Sequence, residues 1–114
     1  MSSVKIKVYG TEYLVTFKEV EYKTGVPGIQ VMTGFHPFAV LSFNASDEAG
    51  ETLYPEEGCI WLKDWAENAE IAKFLLDNGY VSLTGKQIPA GFVVYKEAKV
   101  EDKLLNILQD RNKL

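Results

Sequence analysis

Val4, Ile6 and Val8 alternate with Lys5 and Lys7, the period-two pattern of a strand with one buried face. Tyr13, Val15 and Phe17 continue that face after the turn residues Tyr9-Gly10-Thr11-Glu12, so an antiparallel hairpin is expected, with Val8 opposite Tyr13 and Val4 opposite Phe17. The phase then slips, because Val20 and Tyr22 fall on even positions. A β-bulge near Lys18-Glu19, or a strand leaving one core for an edge, would account for it. Gly25-Val26-Pro27-Gly28 is a turn signal, Ile29 to Thr33 the next strand, and Gly34-Phe35-His36-Pro37 its exit loop. Phe38 to Phe43 is apolar on both faces, which predicts a central strand. Asn44 to Gly58 is polar and acidic, with Gly50 and Pro55, and is expected to be a mobile connection.

Cys59-Ile60-Trp61-Leu62 predicts a short buried strand. Asp64 and Glu67 have capping-box spacing and open a helix over about 65–78. Its apolar stripe would be Trp65, Ala69, Ala72 and Leu76, flanked by Ile71 and Leu75, with Gly79 as the left-handed terminator. Tyr80–Leu83 and Gly91–Tyr95 are expected to pair as a second hairpin around Thr84-Gly85 and Ile88-Pro89-Ala90. Val100, Leu104, Ile107, Leu108 and Leu114 recur at helical spacing and predict a docked C-terminal amphipathic helix. The fold class expected is α+β: a twisted, mainly antiparallel sheet with one central helix and a C-terminal helix, in one domain over 1–114.

Composition changes this picture mainly through charge. The formal net charge of −4 argues against direct nucleic-acid binding, which needs clustered Lys and Arg. Eight of the sixteen acids lie between Asp47 and Glu70 against one lysine, Lys63, while the rest of the chain carries a slight basic excess. No apolar run approaches the roughly 20 residues that span a bilayer, and the first residues lack the apolar core of a secretory leader. With Cys59 alone, no intramolecular disulfide can form, and a cytoplasmic setting is expected.

Candidate chemistry is sparse. His36 has no second histidine or cysteine cluster with which to hold a metal, so neither metal nor cofactor is expected. Cys59 reads as a small buried hydrophobe, although a Cys59–His36 pair or a carboxylate pair stays open as the core of a small enzyme. Thr84-Gly85-Lys86 lacks the preceding glycine and spacing of a phosphate loop and reads as a hairpin turn with an exposed lysine. The aromatic residues sit at strand-alternating or helix-stripe positions and read as core.

Over roughly residues 4–98 the chain resembles a family of small proteins of unknown function found on conjugative elements and phages of gut bacteria. The matching pieces are Tyr9 to Val15, Pro37 to Asn44, Asn78-Gly79, Thr84-Gly85 and Gly91 to Tyr95. Lys86, Ala90 and Lys96 depart from the Arg, Ser and Pro that the resemblance leads one to expect. It implies no activity, only a mobile-element setting. The function expected from this setting and the acidic stretch is non-enzymatic. A small acidic protein would inhibit a host defence nuclease, of the anti-CRISPR or anti-restriction kind, by occluding its nucleic-acid groove. Asp47, Glu48, Glu51, Glu56 and Glu57 would replace phosphates, and Trp61 or Trp65 would anchor the partner. The alternatives are a homo-oligomeric structural accessory with an apolar patch near Tyr80 and Tyr95, and the small enzyme above.

Overall fold

The computed structural model describes residues 3–34, 36–90 and 93–112, and within them the chain is α+β with all strand pairs antiparallel. The strands divide into two sheets rather than one. Strands β1 (Val4–Val8), β2 (Thr11–Glu21), β3 (Pro27–Thr33) and β4 (His36–Val40) lie in that order in the first. The second runs β5 (Cys59–Leu62), β7 (Val93–Val100), β6 (Val81–Ala90). Helix α1 (Ala69–Asp77) follows β5, and α2 (Asp102–Asn112) closes the described chain.

The first hairpin forms two residues out of the expected register: Val8 pairs with Thr11, Ile6 with Tyr13 and Val4 with Val15. The cause is a tighter turn. Tyr9 and Gly10 both take positive φ (52° and 77°), the two-residue geometry that matches strand twist. A slip of two preserves side-chain parity, so the buried face is the one expected. Beyond Phe17, β2 stays regular against β3 with no bulge. Val20, and Tyr22 just past the end of β2, are half-buried, while Glu19 and Glu21 are exposed.

The 38–43 segment is not a central strand. β4 is the edge of the first sheet, and the chain crosses to the second sheet at Ser42. There the Ser42 hydroxyl accepts the Ile29 N–H (3.0 Å), while its backbone bridges to Leu62. Lys63 N–H donates to Leu41 O, and Phe43 N–H to Trp61 O. Apolar character on both faces is thus the mark of a crossover packed between two sheets.

β5 is buried at all four residues because both of its faces are covered. Ile60 and Leu62 join the main core with Val15, Phe17, Val31, Leu75, Ala98 and Leu104, drawn from both sheets and both helices. Trp61 points the other way, into a second cluster with Val26 and Ala45, against which Tyr22, Phe43, Leu53, Ile88 and Tyr95 pack.

The central helix begins later than 65. Residues 66–68 form a 3-10 turn and α1 starts at Ala69, with no side-chain cap at Trp65 or Asn68. The expected capping role of Asp64 fails because its carboxylate binds Lys96 Nζ (2.8 Å), and Asn68 instead donates its side-chain N–H to Val40 O. The buried stripe centres on Ile71, Ala72 and Leu75, leaving Ala69 exposed. The terminator behaves as expected. Gly79 (φ 76°) donates its N–H to Leu76 O and Tyr80 N–H reaches Leu75 O, a Schellman closure with Phe74 and Tyr80 rings stacked over it.

The second hairpin is longer than expected. Val81 pairs with Val100, Leu83 with Ala98 and Ile88 with Tyr95, so Thr84-Gly85-Lys86 is a mid-strand irregularity rather than its turn. Gly91 and Phe92 lie outside the described residues, as do Phe35 and Leu114. α2 forms as expected, with Leu104 and Leu108 buried, although Val100 belongs to β7.

Candidate functional site

The acidic 44–58 segment is folded, and the second cluster holds it. Ser46 bridges to Thr52, making a small hairpin whose turn is closed by the Asp47 carboxylate. Asp47 Oδ1 accepts the N–H groups of Ala49 and Glu51, both at 2.9 Å. Farther along, Trp61 Nε1–H donates to Leu53 O (2.9 Å) and Tyr54 O–H to Thr24 O (2.7 Å). Glu97, only 2% exposed on β7, accepts the Glu56 N–H through one carboxylate oxygen and the Thr84 hydroxyl through the other.

These ties place residues 54–58 beside the C-terminal end of β2, and an open groove of about 650 Å3 lies between them. Glu19 and Glu21 line one side, and Tyr54, Pro55, Glu56 and Glu57 the other. No lysine, arginine or histidine is among its described lining residues. Glu19, Glu21 and Glu57 form no ion pair among the described residues, and Glu56 reaches Lys86 Nζ only at 3.8 Å. Glu19 and Glu21 project from one face of an extended strand, about 7 Å apart along it.

The structure therefore sorts the expected partner-binding residues. Glu56 and Glu57 line the groove. Glu48 and Glu51 are exposed on the small hairpin, and Asp47 serves its turn. Trp61 is fully enclosed, with Lys86 Nζ 5.9 Å from its ring centroid, so it anchors the acidic segment and cannot anchor a partner. Trp65 is half-buried, edge-on to Phe43 at 5.2 Å. Glu19 and Glu21 escaped notice in the sequence. Their signal was the phase slip itself, where the face carrying Val15 and Phe17 turns acidic.

Cys59 and His36 are not brought together. Cys59 starts β5 beside Pro27–Ile29, whereas His36 is exposed and pairs with Thr33, four residues and about 13 Å of strand farther along β3. Burial pushes the Cys59 thiol up, the Glu97 and Glu56 carboxylates push it further, and Lys99 and Lys86 oppose them. A thiol so placed is a poor nucleophile. Among the described residues no group of three or more His, Cys, Asp and Glu could hold a metal ion. No helix among them is long and apolar enough to cross a membrane. Tyr80 and Tyr95 do not form an exposed patch: Tyr80 is buried, and Tyr95 is half-buried with its ring 4.4 Å from that of Phe43. No family model, curated protein or solved structure matches this chain.

Proposed function

We propose that this chain is a non-enzymatic binding protein that docks a basic protein surface through the groove walled by Glu19, Glu21, Glu56 and Glu57. The observation that carries the reading is four glutamates lining one groove with no cationic residue among its described lining residues, Lys86 approaching Glu56 from outside it at 3.8 Å. Like charges held together on a folded surface repel one another, and a cationic partner relieves that repulsion while being steered to the site. The partner class follows from the same chemistry: surfaces that bind nucleic acid are the strongly basic ones. A host defence nuclease, blocked by occlusion of its nucleic-acid groove, is the partner that also agrees with the resemblance to mobile-element proteins.

The test is capture of partners by the tagged protein from bacterial lysate at low and at high salt, beside the Glu56→Lys/Glu57→Lys variant. The expected result is a nuclease retained at low salt, released at high salt, lost in the variant and inhibited by the wild-type protein. Equal capture by the folded variant, or a captured nuclease that cleaves at full rate, would overturn the reading.

A further inference from the structure

The groove has a second compartment. Between the sheets, beside α2, lies a cavity of about 140 Å3 whose walls include Ile29, Cys59, Ile60, Leu105 and Leu108. Glu19, Pro27 and Gly58 line both the cavity and the groove, so the two spaces meet along those residues. Among the described residues the cavity wall carries no cation, and its polar side chains are the Cys59 thiol and the Glu19 carboxylate. Its lining offers water few of the several hydrogen-bond partners that it needs. An apolar cavity near 150 Å3 is large enough to take up a molecule of benzene's size.

We infer that the cavity and the acidic groove form one two-part docking site for an extended basic segment of a partner protein, which inserts a single leucine-sized side chain into the cavity. The inference rests on the docking role proposed for the groove and specifies what that groove recognises. Three features select this occupant. The cavity volume accommodates one aliphatic side chain. The carboxylates at and beyond its mouth demand cations next to the anchor. Glu19 and Glu21 are spaced like alternate side chains of an extended chain, since every strand has the same rise, so lysines two residues apart match them. A lone small amine would use the mouth and leave Glu57 without a cation, whereas a peptide reaches both walls, where Glu56 already lies 3.8 Å from Lys86 Nζ.

The cavity is where the core of this fold stops short. Val15 and Phe17 on β2 are buried, and α2 lies against that strand, but the same face continues as Glu19 and Glu21. Leu105 of α2 is left half-buried at the cavity wall. An apolar lining that runs out into carboxylates, instead of being capped by another hydrophobe, is what an anchor-plus-cation segment would complete.

The experiment uses blocked nine-residue peptides in which lysine alternates with serine around a central leucine, or around a central serine, titrated into the intact protein. The leucine peptide is expected to bind about tenfold or more tighter than the serine peptide. Leu105→Phe, which fills the cavity from its half-buried wall, should erase that difference by weakening the leucine peptide more than the serine peptide. Glu19→Gln/Glu21→Gln, on exposed positions, should weaken both peptides and flatten their salt dependence. Equal binding of the two peptides would overturn the anchor while the docking role of the groove survived. Failure of both, with a nuclease still captured from lysate, would overturn the extended-segment site and leave the broader role standing. Displacement of the leucine peptide by isobutylammonium at an affinity equal to the peptide's own would assign the site to small amines and overturn the inference.

Discussion

The main core and the second cluster are built from different materials. The main core is an aliphatic body drawn from both sheets and both helices, with Phe17 its largest fully buried member and Tyr80 at its margin. The second cluster has few buried members, Val26, Ala45 and Trp61, ringed by half-buried aromatics and fastened by directed hydrogen bonds from Trp61, Tyr22 and Tyr54. One region is held by area removed from water, which scales with size and has no direction. The other is held by specific donors and acceptors, each modest in net energy and costly to orphan. The first makes the fold. The second holds the wall that carries Glu56 and Glu57, and so places half of the groove.

The strongest way to separate the two regions is to damage the first. Phe17→Ala removes a fully buried ring from the junction of β2 with the rest of the core. A destabilisation of about 3–5 kcal/mol is expected, enough to lower the midpoint of thermal unfolding by more than about 10 °C. Denaturant titration followed by fluorescence would measure it. A loss below about 1 kcal/mol would mean that the aliphatic body is not the main source of stability.

Next in size is a change where the two regions meet. A Cβ built on Gly28 would lie 2.6 Å from Ser42 Oγ and 3.0 Å from both Tyr22 Cε2 and Val20 Cγ2. Ser42 cannot swing away freely, because its hydroxyl accepts the Ile29 N–H and its backbone makes the crossover between sheets. Gly28→Ala should therefore cost about 1–3 kcal/mol through overpacking and a weakened crossover. Equal stability of variant and parent in urea would show that the junction yields more easily than this geometry implies.

A third change tests whether the second cluster acts on the acidic wall alone. Trp61→Phe keeps an aromatic ring in place but leaves Leu53 O without its donor, with an expected cost of about 1–2 kcal/mol. The informative readout is local. Amide exchange at Asp47 and Leu53, whose N–H groups close the small hairpin, should speed up while that of the β2–β3 ladder keeps its protection. Uniform acceleration would merge the two regions into one cooperative unit.

The same division marks how far the sequence could be read. Elements stabilised by a repeating apolar face were legible: the β1–β2 hairpin, β5, the glycine stop of α1 and the face of α2. Readings failed where one side chain decided the outcome. Asp64 went to Lys96 instead of capping a helix, and Tyr9 took a left-handed conformation that shortened the first turn. Ser42 converted an apparent central strand into a crossover. The groove was half legible. Glu56 and Glu57 stood out in a run of acids, whereas Glu19 and Glu21 join them only through the antiparallel return of β3, which periodicity cannot foresee.

Cys59 offers the smallest effect and the most direct probe of the boundary between groove and core. Its thiol is pushed above its ordinary value of 9.0, first by burial and then by Glu97 and Glu56. The folded protein therefore holds this proton more tightly than the unfolded chain does. Between the unfolded and the raised folded value, the unfolded state has lost the proton and the folded state has not, so stability falls as pH rises. The contribution is complete below about pH 9 and disappears as pH climbs through the raised value. Wild-type protein should thus lose part of its stability advantage over Cys59→Ala as pH rises above about 9, a difference that cancels the titration of tyrosines and lysines common to both. At pH 8 the same shift leaves little thiolate, so alkylation by iodoacetamide should be slower than that of a free thiol. Filling the cavity beside Cys59 with the leucine peptide should slow it again, because the anchor would cover the sulfur. Alkylation at the free-thiol rate, together with a stability difference that stays flat across this pH range, would place Cys59 in water and dissolve the boundary between an enclosed core and an open acidic groove.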